Sequence, residues 1–318
     1  MRREEEEIIR KYRIAAKQGD AAAQVLLGMC YYNGVVVAKD ERKAAMWFRK
    51  AASQGDETGQ LMLGMCYEKG AGMPLDYEEA VEWYKRSAAQ GNADSQYKLG
   101  MCYVYGRGVE QDFAKALEWL GKSAALGSVD AQFNLGLCYA HGLGVEQDFA
   151  KAVEWYGKAA EQGDAMAQFN LAFSYANGEG VEQDLAKAAE WYGKAAAQGD
   201  ANAQYNLGCC YAHGEGVEQD FTKAAEWFMK AAKQGDADAQ YNLGLSYANG
   251  EGVEQDFTKA AMWYGKAAAQ GNAGAQYNLG VLYEEGVGVI QDKVKAKRWY
   301  QKVAEQGYTE AIEKLKEM

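Results

Sequence analysis

The stretch "AQYNLG" occupies residues 203–208, 239–244 and 275–280, with "AQFNLG" at 131–136 and "AQFNLA" at 167–172, so one segment returns five times at an interval of 36 residues. Working outward, the same interval places all eight tryptophans: Trp47, Trp83, Trp119, Trp155, Trp191, Trp227, Trp263 and Trp299. It also spaces Gly34 through Gly286, Asp40 through Asp292 and Gly55 through Gly307. A fixed period of this length marks a repeat array, in which each unit buries its apolar face against its neighbours because it cannot do so alone. Eight copies are expected, at 20–55, 56–91, 92–127, 128–163, 164–199, 200–235, 236–271 and 272–307.

Within the sixth copy, "DANAQYNLGCCYAHG" begins on an Asp suited to capping a helix N-terminus and stops at a Gly suited to the left-handed position after a helix. This is helix A. The short "EGVEQ" leads to a second capping residue, Asp220, and "DFTKAAEWFMKAAKQG" then carries apolar residues at helical spacing as helix B. Residues 1–19 align with the second half of a repeat but are charged from Arg2 to Glu7 and at Lys11, which predicts an N-terminal capping helix. Residues 308–318 read as a helix A whose aromatic and glycine slots have become Glu313 and Lys316, which predicts a C-terminal capping helix.

The pattern A-x-AQ-x-x-LG-x-x-Y-x-x-G-x-GV-x-x-D-x-x-KA-x-x-W-x-x-KAA-x-QG covers essentially the whole chain and resembles the Sel-one-like repeat family, relatives of the tetratricopeptide repeat. The resemblance implies an all-α, right-handed α-solenoid of antiparallel helix pairs. It further implies that the A helices line the concave side and that the protein holds other proteins together.

Composition narrows the partners. With 34 basic and 45 acidic residues, net −11, the chain repels nucleic acid phosphates and anionic membrane surfaces, so a neutral or basic protein or peptide is favoured. The first twenty residues hold no apolar core of signal-peptide length, and no uncharged run approaches a membrane span, so a soluble chain is expected. Cys30, Cys66, Cys102, Cys138 and Cys210 share one slot, with Cys209 beside the last. Equivalent residues of stacked helices lie roughly 8–10 Å apart, too far for the ~7 Å Cα limit of a disulfide. Free thiols and a cytoplasmic location are the expectation.

Copy-to-copy comparison divides helix A. At 100° per residue, the near-constant slots of Ala203, Gln204, Leu207, Gly208, Cys210 and Tyr211 form one arc, and the varying slots of Asn202, Tyr205, Asn206, Cys209, Ala212 and His213 form the other. The varying arc is expected to face the groove. It carries Asn134, Asn170, Asn206, Asn242 and Asn278 beside Phe133, Phe169, Tyr205, Tyr241 and Tyr277. A side-chain amide both donates and accepts, so a row of asparagines suits the peptide groups of an extended segment. The alternative is that these amides satisfy the scaffold itself. In the first copies the same arc holds Val25, Leu26, Met29 and Tyr32, then Leu61, Met62 and Met65, an apolar patch suited to a hydrophobic segment or to self-association.

No catalytic constellation emerges. "GEGVEQD" lacks the third glycine of a dinucleotide loop and joins two helices. His141 and His213 stand two copies apart, too far to share a metal, and read as groove contacts. No enzyme activity, cofactor or metal is expected. The favoured reading is a binding scaffold. An engineered or self-assembling repeat module without a natural ligand, and a glycan- or peptidoglycan-binding protein, are the alternatives.

Overall fold

The structure, a computed structural model, describes residues 2–318, with side chains from Glu7 onward. The described residues form eighteen α-helices and no strand. They are an α-solenoid of repeated helix pairs.

The sixth copy shows how sequence sets the elements. Helix A is Ala201–His213 and helix B is Phe221–Gln234. The Asp200 carboxylate accepts the Ala203 amide at 2.7 Å, and Gly214 ends helix A at φ 71°. A cap of this kind contributes about 1 kcal/mol. Asp220 repeats the device for helix B, accepting the Lys223 amide at 3.0 Å. Its second oxygen lies 3.2 Å from Lys223 Nζ, which in turn sits 5.2 Å from the Tyr211 ring centroid.

Two compact units make up the chain, residues 1–159 and 160–318. Within each, helix A packs on helix B of its own copy and helix B packs on helix A of the next. Close approach explains two glycine slots. A Cβ at Gly208 would stand 2.6 Å from the Phe228 ring. One at Gly216, where φ is already +72°, would overlap the carbonyl of Leu185, so the loop of the sixth copy sits directly on helix B of the fifth.

Buried glutamines stitch neighbouring copies together. Gln204 donates from Nε2 to the Ala196 carbonyl at 3.1 Å, and its Oε1 accepts from Gln234 Nε2 at 2.9 Å. Gln234 also donates to the Gly199 carbonyl at 2.9 Å. Gln90 and Gln60, and Gln270 and Gln240, repeat the arrangement. The third copy breaks it. Leu126 replaces the outer glutamine and is exposed, and Gln96 Oε1 is the one buried side-chain atom without a partner among the described residues. A buried acceptor left unpaired costs about 1–3 kcal/mol.

Candidate functional site

The A-helix face was the expected site, and its asparagines are half-buried in both units. Three of them use their donors within their own helix. Nδ2 of Asn134, Asn170 and Asn206 donates to the carbonyls of Asp130, Met166 and Asn202, each at 2.8 Å. This back-bonding follows from a short amide placed mid-helix, where the carbonyl one turn earlier is the nearest acceptor. Asn242 and Asn278 lie against the hydroxyls of Tyr205 and Tyr241 in the preceding copy, as Asn134 also lies against that of Tyr97. Burial raises all three tyrosine pKa values, and the amides act in the opposite direction. The simple picture of five amides offering donor and acceptor alike to a ligand therefore needs correction.

The aromatic slot also differs from expectation. Phe133 is buried, with its ring centroid 6.0 Å from that of Tyr156, and belongs to the core. Phe169, Tyr205, Tyr241 and Tyr277 are half-buried, packed in tilted contact at 5.6–6.0 Å against Tyr192, Phe228, Tyr264 and Tyr300 of their own copies. Their Cα atoms stand at the edge of the varying arc, and a long ring reaches back from there onto helix B. In the first two copies the same slot holds Val25 and Leu61, exposed only 5% and 6%. Both leave the apolar patch, because aliphatic side chains too short to project past the junction are enclosed by it; Leu61 clusters with Ala80, Val81 and Leu99. Leu26 remains exposed, while Met29, Tyr32, Met62 and Met65 are half-buried.

What distinguishes the copies is a trio of slots at the junction between one copy and the next. After the second copy, Glu68 accepts the Tyr84 hydroxyl at 2.8 Å and lies 3.2 Å from Lys98 Nζ. After the eighth, Glu284 accepts the Tyr300 hydroxyl at 2.7 Å and lies 3.3 Å from Lys314 Nζ. The Glu284 carboxyl is held below its usual value first by Tyr300 and then, against the opposing cost of burial, by Lys314. Burial and the neighbouring carboxylates push both tyrosine hydroxyls far upward.

After the sixth copy the same slots hold Ala212, Phe228 and Asn242. Ala212 puts no carboxylate in the Glu68 slot, and a cavity of about 350 Å³ opens, against about 180 Å³ beside Glu68. Phe221, Ala224, Phe228 and Leu245 give it an apolar lining, and Asn242, Ser246, Asn249, His213 and Glu251 supply polar groups. After the seventh copy Ala248, Tyr264 and Asn278 form an intermediate version, with burial lifting Tyr264 to about 12 despite the Asn278 amide beside it. Sequence reasoning missed the trio because its members are 16 and 30 residues apart and belong to two copies. A signal was present: the slot holds Glu only at 68 and 284, and only there does the partner slot 30 residues on hold Lys, as Lys98 and Lys314.

His213 is exposed and borders this cavity, its Nδ1 3.0 Å from the Cys209 carbonyl, whereas His141 lies on the other unit. Cys209 is half-buried and Cys210 buried, and burial pushes the Cys210 thiol up to about 11. Among the described residues no cluster of His, Cys, Asp and Glu could hold a metal, and no helix is long and apolar enough to cross a membrane.

A family model described as Sel1 repeat matches residues 21–56, 58–92, 93–128, 129–164, 165–200, 201–236, 237–272 and 273–308. The chain is similar to the crystal structure of a protective antigen present in uropathogenic Escherichia coli strains that displays an SLR fold. They share 40% identity at a TM-score of 0.93, over 96% of this chain and 66% of that one. It is also similar to a Sel1 repeat protein from Oxalobacter formigenes, with 38% identity, a TM-score of 0.69 and coverage of 97% of this chain and 89% of that one. No curated protein matches the chain.

Proposed function

The chain belongs to the Sel1 repeat family, whose members are generally protein-interaction scaffolds, and from that premise we propose that it binds a segment of a partner protein along its A helices. The observation that carries this reading is the open junction after the sixth copy. There the cavity of about 350 Å³ takes an apolar side chain against Phe221, Phe228 and Leu245, while Asn242 and Asn249 meet the flanking peptide groups. With a net charge of −11, a neutral or basic segment suits this groove.

The chain supplies its own blocking variant. Ala212→Glu, Phe228→Tyr and Asn242→Lys together rebuild at this junction the trio that occupies the junction after the second copy. A partner captured from lysate by the wild-type chain, identified and purified, should bind the triple variant at least tenfold more weakly, about 1.4 kcal/mol. Full affinity in the variant would remove the proposed site. Capture of no partner would favour a repeat module without a natural ligand, and retention on peptidoglycan would favour a glycan reader.

A further inference from the structure

Between helix B of the first copy, Glu41–Ser53, and the loop of the second copy lies a cavity of about 500 Å³ that no A-helix residue lines. Arg42, Arg49, Lys50 and Ser53 line it together with Met46 and Met73. Gly72 closes one side, seated so tightly that a Cβ there would overlap the Glu41 carbonyl. The equivalent slots in the other copies show how unusual this composition is. Where the first copy has Arg42 and Arg49, the third, fourth and fifth have Ala114 and Gly121, Ala150 and Gly157, and Ala186 and Gly193. Met46 stands where those copies carry Glu118, Glu154 and Glu190, which neutralise Lys122, Lys158 and Lys194 at 2.6–2.8 Å.

Two cations are gained and one carboxylate is lost in a single cleft, all in a chain of net −11. The Arg49 guanidinium is held in place by donating to the Tyr67 hydroxyl at 3.1 Å, which leaves its other N–H groups available. Lys50 lies 4.5 Å from the Trp47 ring centroid, and Met46 is exposed. Guanidinium groups pair with carboxylates in a two-pronged geometry, and flexible methionines accept varied apolar side chains.

We propose that this cleft binds a short acidic peptide segment of a partner protein, its carboxylates on Arg42 and Arg49 and an adjacent apolar side chain on Met46 and Met73. A nucleic acid fits less well, since the surrounding charge repels a polyanion and no aromatic ring lines the cavity for a base to stack on. The site is independent of the A-helix groove.

The test uses random dodecapeptides displayed on phage, selected on the full chain and counter-selected on Arg42→Glu/Arg49→Glu. Enriched peptides should carry neighbouring Asp or Glu beside an apolar residue. Synthetic copies should bind wild type at least tenfold tighter than the charge-reversed chain, and more weakly as salt rises. Met46→Glu, which merely restores the residue of other copies, should weaken binding severalfold without lowering the melting temperature. The triple variant that fills the sixth junction should leave it unchanged. Enrichment of neutral or basic peptides, equal binding to the charge-reversed chain, or displacement by millimolar inorganic phosphate would each overturn the proposal.

Discussion

The junctions after the second and the sixth copies use the same three slots in opposite ways. In one, Glu68, Tyr84 and Lys98 narrow the space between copies to about 180 Å³ with a hydrogen-bonded ion pair; in the other, Ala212, Phe228 and Asn242 leave about 350 Å³ open. Charge is conserved in the exchange, because the acid and the base depart together. The lesson is that an array can vary which junctions are open without altering the helices that frame them. A half-converted junction is the costly state, since it strands either a carboxylate or an ammonium in a partly covered site.

The largest effect that could break this comparison is therefore expected from a half-conversion. Lys98→Met leaves the Glu68 carboxylate, whose side chain is only 18% exposed, with the Tyr84 hydroxyl alone. Melting should report a loss of about 1–3 kcal/mol. Glu68→Ala/Lys98→Asn should cost less than the two single changes added together, with a coupling of about 0.5–3 kcal/mol. Strict additivity in that cycle would show the pair to be incidental. The complementary triple change at the sixth junction should hold or raise the melting temperature while partner affinity falls, and a large drop in melting would mean that the two junctions are not interchangeable.

Leu126→Gln comes next in size. It restores the donor missing beside Gln96 and should stabilise the chain by about 1 kcal/mol, read as a higher melting temperature; no change would show that Gln96 already has a donor. Smallest is the pH dependence at Glu284. Its carboxyl is depressed in the folded chain, so its contribution is full above the ordinary glutamate value of about 4.3 and is lost as pH falls through the lower, folded value. Glu284→Gln should flatten that part of the melting profile. An unchanged profile would detach the carboxyl from the eighth junction's stability.

The helices were largely legible, because Asp200 and Asp220 as caps, Gly214 as a stop, and Leu207 and Gly208 all act within one helix, and their slots recur with only Asn or Ser replacing the first cap and only Ala172 replacing Gly208. The packed arc of helix A was legible for the same reason. Which side chains of the other arc stay exposed was less so. Tyr205 leaves its helix at the edge of an arc, and only the length of its ring decides that it lies on Phe228. Asn206 could be placed but not paired, since its donor chooses between a ligand and the Asn202 carbonyl within the same turn. The Glu68 trio depends on neighbouring copies meeting, which a single-copy pattern does not encode.

The amide stitching has a mechanical meaning. Gln90, Gln198, Gln234 and Gln270 each tie the turn of one copy to the first helix of the next, so tension applied at the chain ends loads these ties in series. The third copy, with Leu126 in place of a tie, is then the compliant element of its unit, the place where stretching should begin. An optical trap would register it as the earliest extension step of residues 1–159, and Leu126→Gln should move that step to higher force.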